Sequence, residues 1–463
     1  MTLPQGFVAA SGAKPRPLVL LDRDGFGTWR QRQPQALQGW LAAHGFDAAP
    51  GSMLALPGND GDLAGAVLGI GDPLDPCSYA FAPNALPMGD WQLEHALAAD
   101  ARAALLLGWG LGAYRYTRFR SAPRAPARLV LETPDGALDG ELADVLAACL
   151  RVRDLVNTPT EHLGPDQLEQ VVCEIAERHG ATIEVVSGDD LLARNFPAIH
   201  AVGRASHRAP RLIALRWGAE SAPHVAIVGK GVCFDTGGLN IKVGEGMRNM
   251  KKDMGGAAHA IALAELLMAR RLPLRITLLV PAVENAIGPD SYRPGEVIAT
   301  RKGIHVEIDN TDAEGRLILG DALAYAGEQS PQLLLDFATL TGAARTALGP
   351  DLPALYANDE DIARHWLDAG LRTRDPLWRM PLWRPYLRYL TSNVADLANS
   401  GPSKMAGSIT AALYLECFIP KAQPWAHLDV YAWNDNDRPG RPAGGEAQGL
   451  RAAYVMLKER FGG

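Results

Sequence analysis

Cysteine is scarce in this sequence. Five occur in 463 residues (Cys77, Cys149, Cys173, Cys233 and Cys417), scattered, odd in number and without a Cys-x-x-Cys pair. This excludes a disulfide framework and fits buried thiols in a reducing compartment. Long apolar runs are missing too. Nothing approaches the roughly 18 apolar residues that a membrane helix needs. Residues 1–17 have no continuous apolar stretch after a basic start, so no signal peptide is read there. A cytoplasmic protein is expected. Excess positive charge is also absent. The net charge of −7 speaks against a nucleic acid or an anionic membrane as the main partner. No internal repeat is visible.

What is present is ordinary globular material, 47% hydrophobic and 21% charged, enough for a sizeable core. At roughly 100–200 residues per domain, the length predicts two or three domains. Residues 1–140 read as a small α/β domain. Apolar runs at 18–21 and 66–70 look like buried strands, alternating with helix-like stretches at 34–44 and 91–106. Residues 141–160 read as a linker helix and turn. Apolar residues recur at helical spacing to 156, and Asn157-Thr158-Pro159 then stops the helix, because the residue before a proline disfavours it.

Residues 161–463 read as a larger α/β/α domain with a mostly parallel central sheet. Helices are expected at 165–179, 256–271 and 315–326. Strands are expected at 182–186, 212–217, 224–228, 275–280, 305–308 and 333–337. Near-continuous apolar strands alternating with helices imply a sheet covered on both faces. In such sheets the functional loops lie at the carboxyl ends of the strands.

Three such loops carry acids and lysines. The first runs Gly229-Lys230-Gly231-Val232-Cys233-Phe234-Asp235-Thr236-Gly237-Gly238-Leu239-Asn240-Ile241-Lys242. The second is Met250-Lys251-Lys252-Asp253-Met254-Gly255-Gly256. The third is Asp309-Asn310-Thr311-Asp312-Ala313-Glu314-Gly315-Arg316-Leu317. The glycines allow tight turns and close backbone approach. Acids gathered on three strand-end loops cannot stay ionised together without a compensating cation. A pair of divalent ions about 3.5–4 Å apart supplies it and can share carboxylates. No histidine lies in these loops, and a carboxylate-dominated set suits Mn²⁺, Mg²⁺ or Zn²⁺.

These loops resemble the M17 leucyl aminopeptidase (cytosol aminopeptidase) family. The third loop carries its signature N-T-D-A-E-G-R-L without a mismatch. The first follows its G-K-G-x-x-F-D-[ST]-G-G-x-x-x-K pattern and the second its M-K-x-D-M-x-G. The resemblance covers residues 155–427 and is weak over the first 140 and the last thirty. It implies a metal-dependent aminopeptidase acting on short peptides with a free N-terminus, with a leucine-like preference, through a water shared by two metal ions. One ion, Zn or Mn and alternatively Mg, would be held by Lys230, Asp235, Asp253 and Glu314. The more exchangeable one would be held by Asp235, Asp312 and Glu314. Lys230 would bind as a neutral amine, and Lys242 would stay charged and polarise the scissile carbonyl. Arg316 would hold a bicarbonate that relays a proton. Met250, Asn310, Thr339 and Gly342 match substrate-side positions. A macro-like N-terminal domain and a homohexamer are also implied. Near the C-terminus the family runs H-L-D-I-A-G, and this chain has His427-Leu428-Asp429-Val430-Tyr431-Ala432.

Other readings compete residue by residue. Asp253 alone reads as a helix cap and Lys230 alone as a surface lysine. Adjacent Lys251 and Lys252 cannot both face one site, so at least one is expected in solvent. His259, His305 and His427 read as packing or surface histidines. Cys233 lacks a histidine partner in sequence and is not expected to be a nucleophile. Gly229-x-Gly231 lacks the third glycine of a dinucleotide loop. Arg316, in a first helical turn among free amides, marks an anion site, or else is a surface arginine paired with an acid. Arg115, Arg118, Arg120, Arg124 and Arg128, interleaved with Tyr114, Tyr116 and Phe119, read as a solvated surface strand. The alternative is a nucleic-acid or subunit-contact patch on a DNA-binding accessory protein. ADP-ribose binding by the macro-like part finds no support in the residues.

Overall fold

The computed structural model describes residues 3–9, 14–58, 60–131, 137–403 and 405–462. The chain divides into two compact units. One comprises Met1–Leu150 with Asn434–Ala443, and the other Arg151–Trp433 with Gly444–Gly463.

The smaller unit holds a six-stranded sheet, ordered Phe7–Ala9, Arg128–Leu131, Asp90–Leu93, Arg16–Leu21, Leu63–Gly69, Met53–Pro57. All its described pairs are parallel except the last. The helix-like stretch expected at 91–106 is corrected: Asp90–Leu93 is a strand, and the helix is Ala99–Ala113. That helix runs through Gly108, Gly110 and Gly112 because close packing requires them. A Cβ at Gly108 or Gly112 would lie 2.0 Å from Pro76 O or 1.9 Å from Ala80 O. Tertiary fit overrides the poor helix propensity of glycine. The arginine-rich stretch is not a surface strand either, since only Arg128 lies in one. Arg124 donates to the Pro83 and Leu86 carbonyls, and Arg128 pairs with Asp90.

The larger unit is built on a nine-stranded sheet. Its path is Trp378–Arg379, Ala354–Ala357, Trp425–Asp429, Leu333–Ala338, His224–Gly229, Arg275–Asn285, Arg211–Trp217, Thr182–Ser187, with Gly231–Asp235 also paired to Arg275–Asn285. The central four strands are mutually parallel, and Ala354–Ala357 and Arg211–Trp217 flank them antiparallel. The strand His224–Gly229 is buried throughout, as a run apolar on both faces must be. The helix Gly255–Ala269, apolar but for His259 and Glu265, is almost wholly buried. Gly256 seats it on the sheet: a Cβ there would lie 2.2 Å from Phe337 O.

Two expectations need correction. His305–Glu307 is not in the central sheet. It sits between Val297–Ala299 and Leu397–Ala398 in a three-stranded sheet of its own. The strand expected to end at 280 continues to Asn285, and its extension carries Gly231–Asp235.

Candidate functional site

Five elements of the larger unit deliver polar or charged groups to one place. The strand His224–Gly229 leads directly into Lys230, and its neighbour Leu333–Ala338 into Thr339. Gly231–Asp235 ends on Asp235. The short 3-10 turn Met250–Met254 holds Asp253, and the helix Glu314–Glu328 opens on Glu314. Asp253 is therefore not a cap. The helix that follows has Met254 at its N-cap and no side-chain capping bond.

Lys230 is buried, with Nζ 2.8 Å from Asp253 Oδ2 and 2.9 Å from Glu314 Oε1, and it donates to Thr339 O at 2.8 Å. The fit depends on Gly315, where a Cβ would lie 2.3 Å from Lys230 Cε. Lys242 Nζ bridges Asp235 Oδ2 at 2.6 Å and Asp312 Oδ1 at 2.5 Å. The second Asp235 oxygen accepts from Gly237 N and from Asn285 Nδ2, at 2.9 and 2.8 Å. Thr339 Oγ1 lies 2.8 Å from Asp253 Oδ1.

The charges do not balance. Four carboxylates face two ammonium groups. Burial and the neighbouring acids Glu314 and Asp253 push Asp235 well up. Burial raises Asp253 and Asp312 against the pull of Lys230 and Lys242. Glu314 is held below its ordinary value because the two lysines outweigh its burial. The acids in turn raise both lysines in spite of burial. Ligand oxygens of Asp235, Asp312 and Glu314 lie within 4.8 Å of one another. Glu314 Oε2 is buried with no hydrogen-bond partner among the described residues. A buried, unpaired carboxylate oxygen beside two more acids is a fit for a divalent cation.

Above the cluster opens a cavity of about 460 Å³. Of the residues singled out from sequence, Lys230, Asp235, Lys242, Met250, Asp253, Asp312, Glu314, Thr339 and Gly342 line it. Asn310 and Arg316 are not among its lining residues. Asn310 Oδ1 accepts from Asp312 N at 2.9 Å, shaping the loop. Arg316 is not a surface residue paired with an acid. Its Nη1 donates to Asn399 O at 2.6 Å, its guanidinium lies 5.9 Å from the Tyr414 ring, and its buried Nε has no hydrogen-bond partner among the described residues.

The expectation for Lys251 and Lys252 is corrected. Lys251 is partly buried and donates to Asn157 O at 2.6 Å, while Lys252 is buried at the cavity wall, where burial lowers its ammonium to about 8. In a 3-10 turn both neighbours find partners on surrounding elements. His259 is a core histidine between Gly255 O and Gln448 N, His427 is buried against Asp336, and His305 is exposed. Cys233 is buried, with its thiol pushed up by burial, as an inert cysteine should be.

Several organising residues were not singled out from sequence. Asn399 Oδ1 accepts from Asp309 N and Asn310 N, and its Nδ2 donates to Asn310 O at 2.7 Å, fixing the third loop. Asn285 and Tyr292 both donate to Thr311 O. Asp429 caps the 339–342 turn through Leu340 N, Thr341 N and Thr341 Oγ1. Only the extended strand and the H-L-D run held any signal for them.

A buried carboxylate cluster suited to divalent ions, on the strand-end loops of an α/β/α sheet, defines a metal-dependent hydrolase. Comparison with known proteins narrows the class. Residues 151–454 match the catalytic domain of the cytosol aminopeptidase family, and residues 16–132 the M17 aminopeptidase N-terminal domain. The chain belongs to this family, and is an aminopeptidase. It is 39% identical over 394 residues to a probable cytosol aminopeptidase of Syntrophotalea carbinolica, spanning 82% of this chain and 77% of that one. The crystal structure of cytosol aminopeptidase from Coxiella burnetii superposes with a TM-score of 0.94 at 46% identity, covering 98% of this chain and 99% of the other. The bottromycin maturation enzyme BotP, solved in complex with Mn, superposes with a TM-score of 0.86 at 32% identity over 97% of this chain and 100% of its own.

Proposed function

We propose that this chain removes the N-terminal residue from short peptides at a two-ion site. Lys230, Asp235, Asp253 and Glu314 hold one ion, and Asp235, Asp312 and Glu314 the other. The observation that carries this reading is the four-acid, two-lysine cluster with its unpartnered Glu314 oxygen at the base of the cavity. The ions, Zn or Mn with Mg as the alternative, supply Lewis-acid polarisation of the scissile carbonyl and activation of water.

The chain's own groups do the rest. Lys242 presents a fixed positive charge at the cavity wall, suited to stabilising an oxyanion. The acids attract the free α-amine of the peptide. Met250, Thr339 and Gly342 line the cavity, and we assign them to substrate binding, while Asn310 holds the third loop in shape. The unpartnered Nε of Arg316 suits a small anion, for which we assign bicarbonate as proton acceptor. The assembly we assign is a homohexamer in the cytoplasm, and the leucine-like preference belongs to this proposal. Among the described residues no helix is long and apolar enough to cross a membrane.

The test is a panel of aminoacyl-7-amidocoumarins with apoprotein reloaded with Zn²⁺, Mn²⁺ or Mg²⁺, alongside metal analysis and native mass. Two ions per subunit, metal-restored cleavage and no cleavage of N-acetylated substrates are expected. Efficient cleavage of acetylated substrates, or full activity with one ion bound, would overturn the reading.

A further inference from the structure

Two cations of the cavity wall stand outside the carboxylate cluster. Lys252 is only 8% exposed, with Nζ 5.1 Å from the centre of the Tyr431 ring. The guanidinium carbon of Arg345 lies 4.5 Å from the centre of the same ring. All three residues line the cavity. Among the described residues, neither cation makes a hydrogen bond or a salt bridge. Neither Lys252 nor Tyr431 is fixed by the family patterns. Lys252 fills the unspecified position of M-K-x-D-M, and Tyr431 stands where the family pattern has alanine.

A buried ammonium without an acceptor is costly, and an aromatic face meets only part of its need. The acids nearby are occupied. Asp253 is engaged by Lys230 and Thr339, and both oxygens of Asp429 accept from the 340–341 turn. Both acids attract the Lys252 ammonium, but neither bonds to it, so the wall has no bonded anion of the protein's own. A planar guanidinium beside an ammonium is well matched to a carboxylate.

We propose that Lys252, Arg345 and Tyr431 form an anion-recognition wall that binds a carboxylate of the peptide substrate, so that this enzyme favours acidic over neutral isosteric substrates. The carboxylate is either the side chain of an N-terminal glutamate or aspartate, or the terminal carboxylate of a dipeptide. This inference rests on the aminopeptidase reading of the same cavity.

The experiment compares kcat/KM for Glu- and Gln-amidocoumarin, which carry no terminal carboxylate, and for Leu-Ala and Leu-Ala-amide, which carry no acidic side chain. Leu-amidocoumarin serves as the neutral reference. Wild type should favour the acid of one pair by about tenfold or more, and the pair that responds identifies the source. That ratio should collapse towards one in Lys252→Met and in Arg345→Met, with metal content kept. Arg345 is exposed, so its variant tests the wall even where Lys252→Met fails to fold. Ratios near one for both pairs while Leu-amidocoumarin is cleaved, or a preference that survives in Arg345→Met, would overturn the proposal alone. Failure to cleave any of the five substrates would overturn the peptidase reading and this proposal with it.

Discussion

Replacing Lys242 and Lys230 in turn by methionine separates two jobs that look alike in sequence. Both are lysines of one glycine-rich loop, and both sit on carboxylates. Their surroundings differ. Lys230 is wedged between Asp253 and Glu314, backed by Gly315 and bonded to Thr339 O, with its side chain 3% exposed. Lys242 spans Asp235 and Asp312 at the cavity wall, 15% exposed. Removing one member of a buried, hydrogen-bonded ion pair costs about 3–5 kcal/mol, and Lys230 has no room to be replaced by water. Lys230→Met should therefore lose metal and activity together. Loss of one donor to a developing oxyanion costs about 10²–10³ in kcat, or about 2.7–4 kcal/mol. Lys242→Met should fall by that factor while keeping both ions, because its acids gain the ions as counter-charge. The assay is metal per subunit after dialysis at fixed free Mn²⁺, with kcat and KM on Leu-amidocoumarin. A Lys242→Met enzyme that has lost an ion, or a Lys230→Met enzyme that holds two and turns over normally, would refute the division.

Gly315→Ala places a methyl 2.3 Å from Lys230 Cε. Helix propensity gains up to about 1 kcal/mol there, so the melting temperature should change little while metal affinity drops, as isothermal titration with Mn²⁺ would record. Asn399→Ala removes the four side-chain hydrogen bonds that hold the third loop. It should lower stability by about 2–4 kcal/mol in urea denaturation and weaken metal binding with it. In Asp336→Asn the buried pair with His427 at 2.5 Å is lost. Although burial lowers the His427 imidazole, Asp336 outweighs it and raises the group above 6.5. The pair's contribution is thus complete below about pH 6.5 and disappears as pH rises through the folded value. The gap in urea midpoint between wild type and variant should be widest near pH 6, worth about 3 kcal/mol, and should narrow at higher pH. A gap that widens with pH would contradict the assignment.

Much of this site was legible because its chemistry is local in sequence. Glycines and acids alternate within three short loops, and burial brings the acids together at the strand ends where such loops belong. The parallel core was legible for the same reason, since its strands are continuous apolar runs. What escaped was settled by distant partners. Pro281 reads as the end of a strand, yet the strand continues. The ladder to His224–Gly229 ends at Leu279 and that to Gly231–Asp235 begins at Ala282. The proline falls between them, where a missing N–H is tolerated. Without the extension, Asn285 and its bond to Asp235 stay invisible. Asn399 reaches across 89 residues to Asn310 and has no local signature.

The same contrast separates reaction from specificity. The proposed metal ligands and Lys242 lie on loops whose spacing is dictated by the chemistry, so the class of reaction can be read before the fold is known. The wall around Tyr431 is assembled from a 3-10 turn holding Lys252, a short helix holding Arg345, and the segment after Trp425–Asp429. No spacing relates these three. Adjacent lysines 251 and 252 gave reason to place one in solvent, because only their own turn was in view. The partners that enclose them, Asn157 for one and Tyr431 for the other, come from 94 and 179 residues away. If that wall binds a substrate carboxylate as proposed, a substitution at 431 changes which peptides this enzyme accepts while every residue of its signature stays in place.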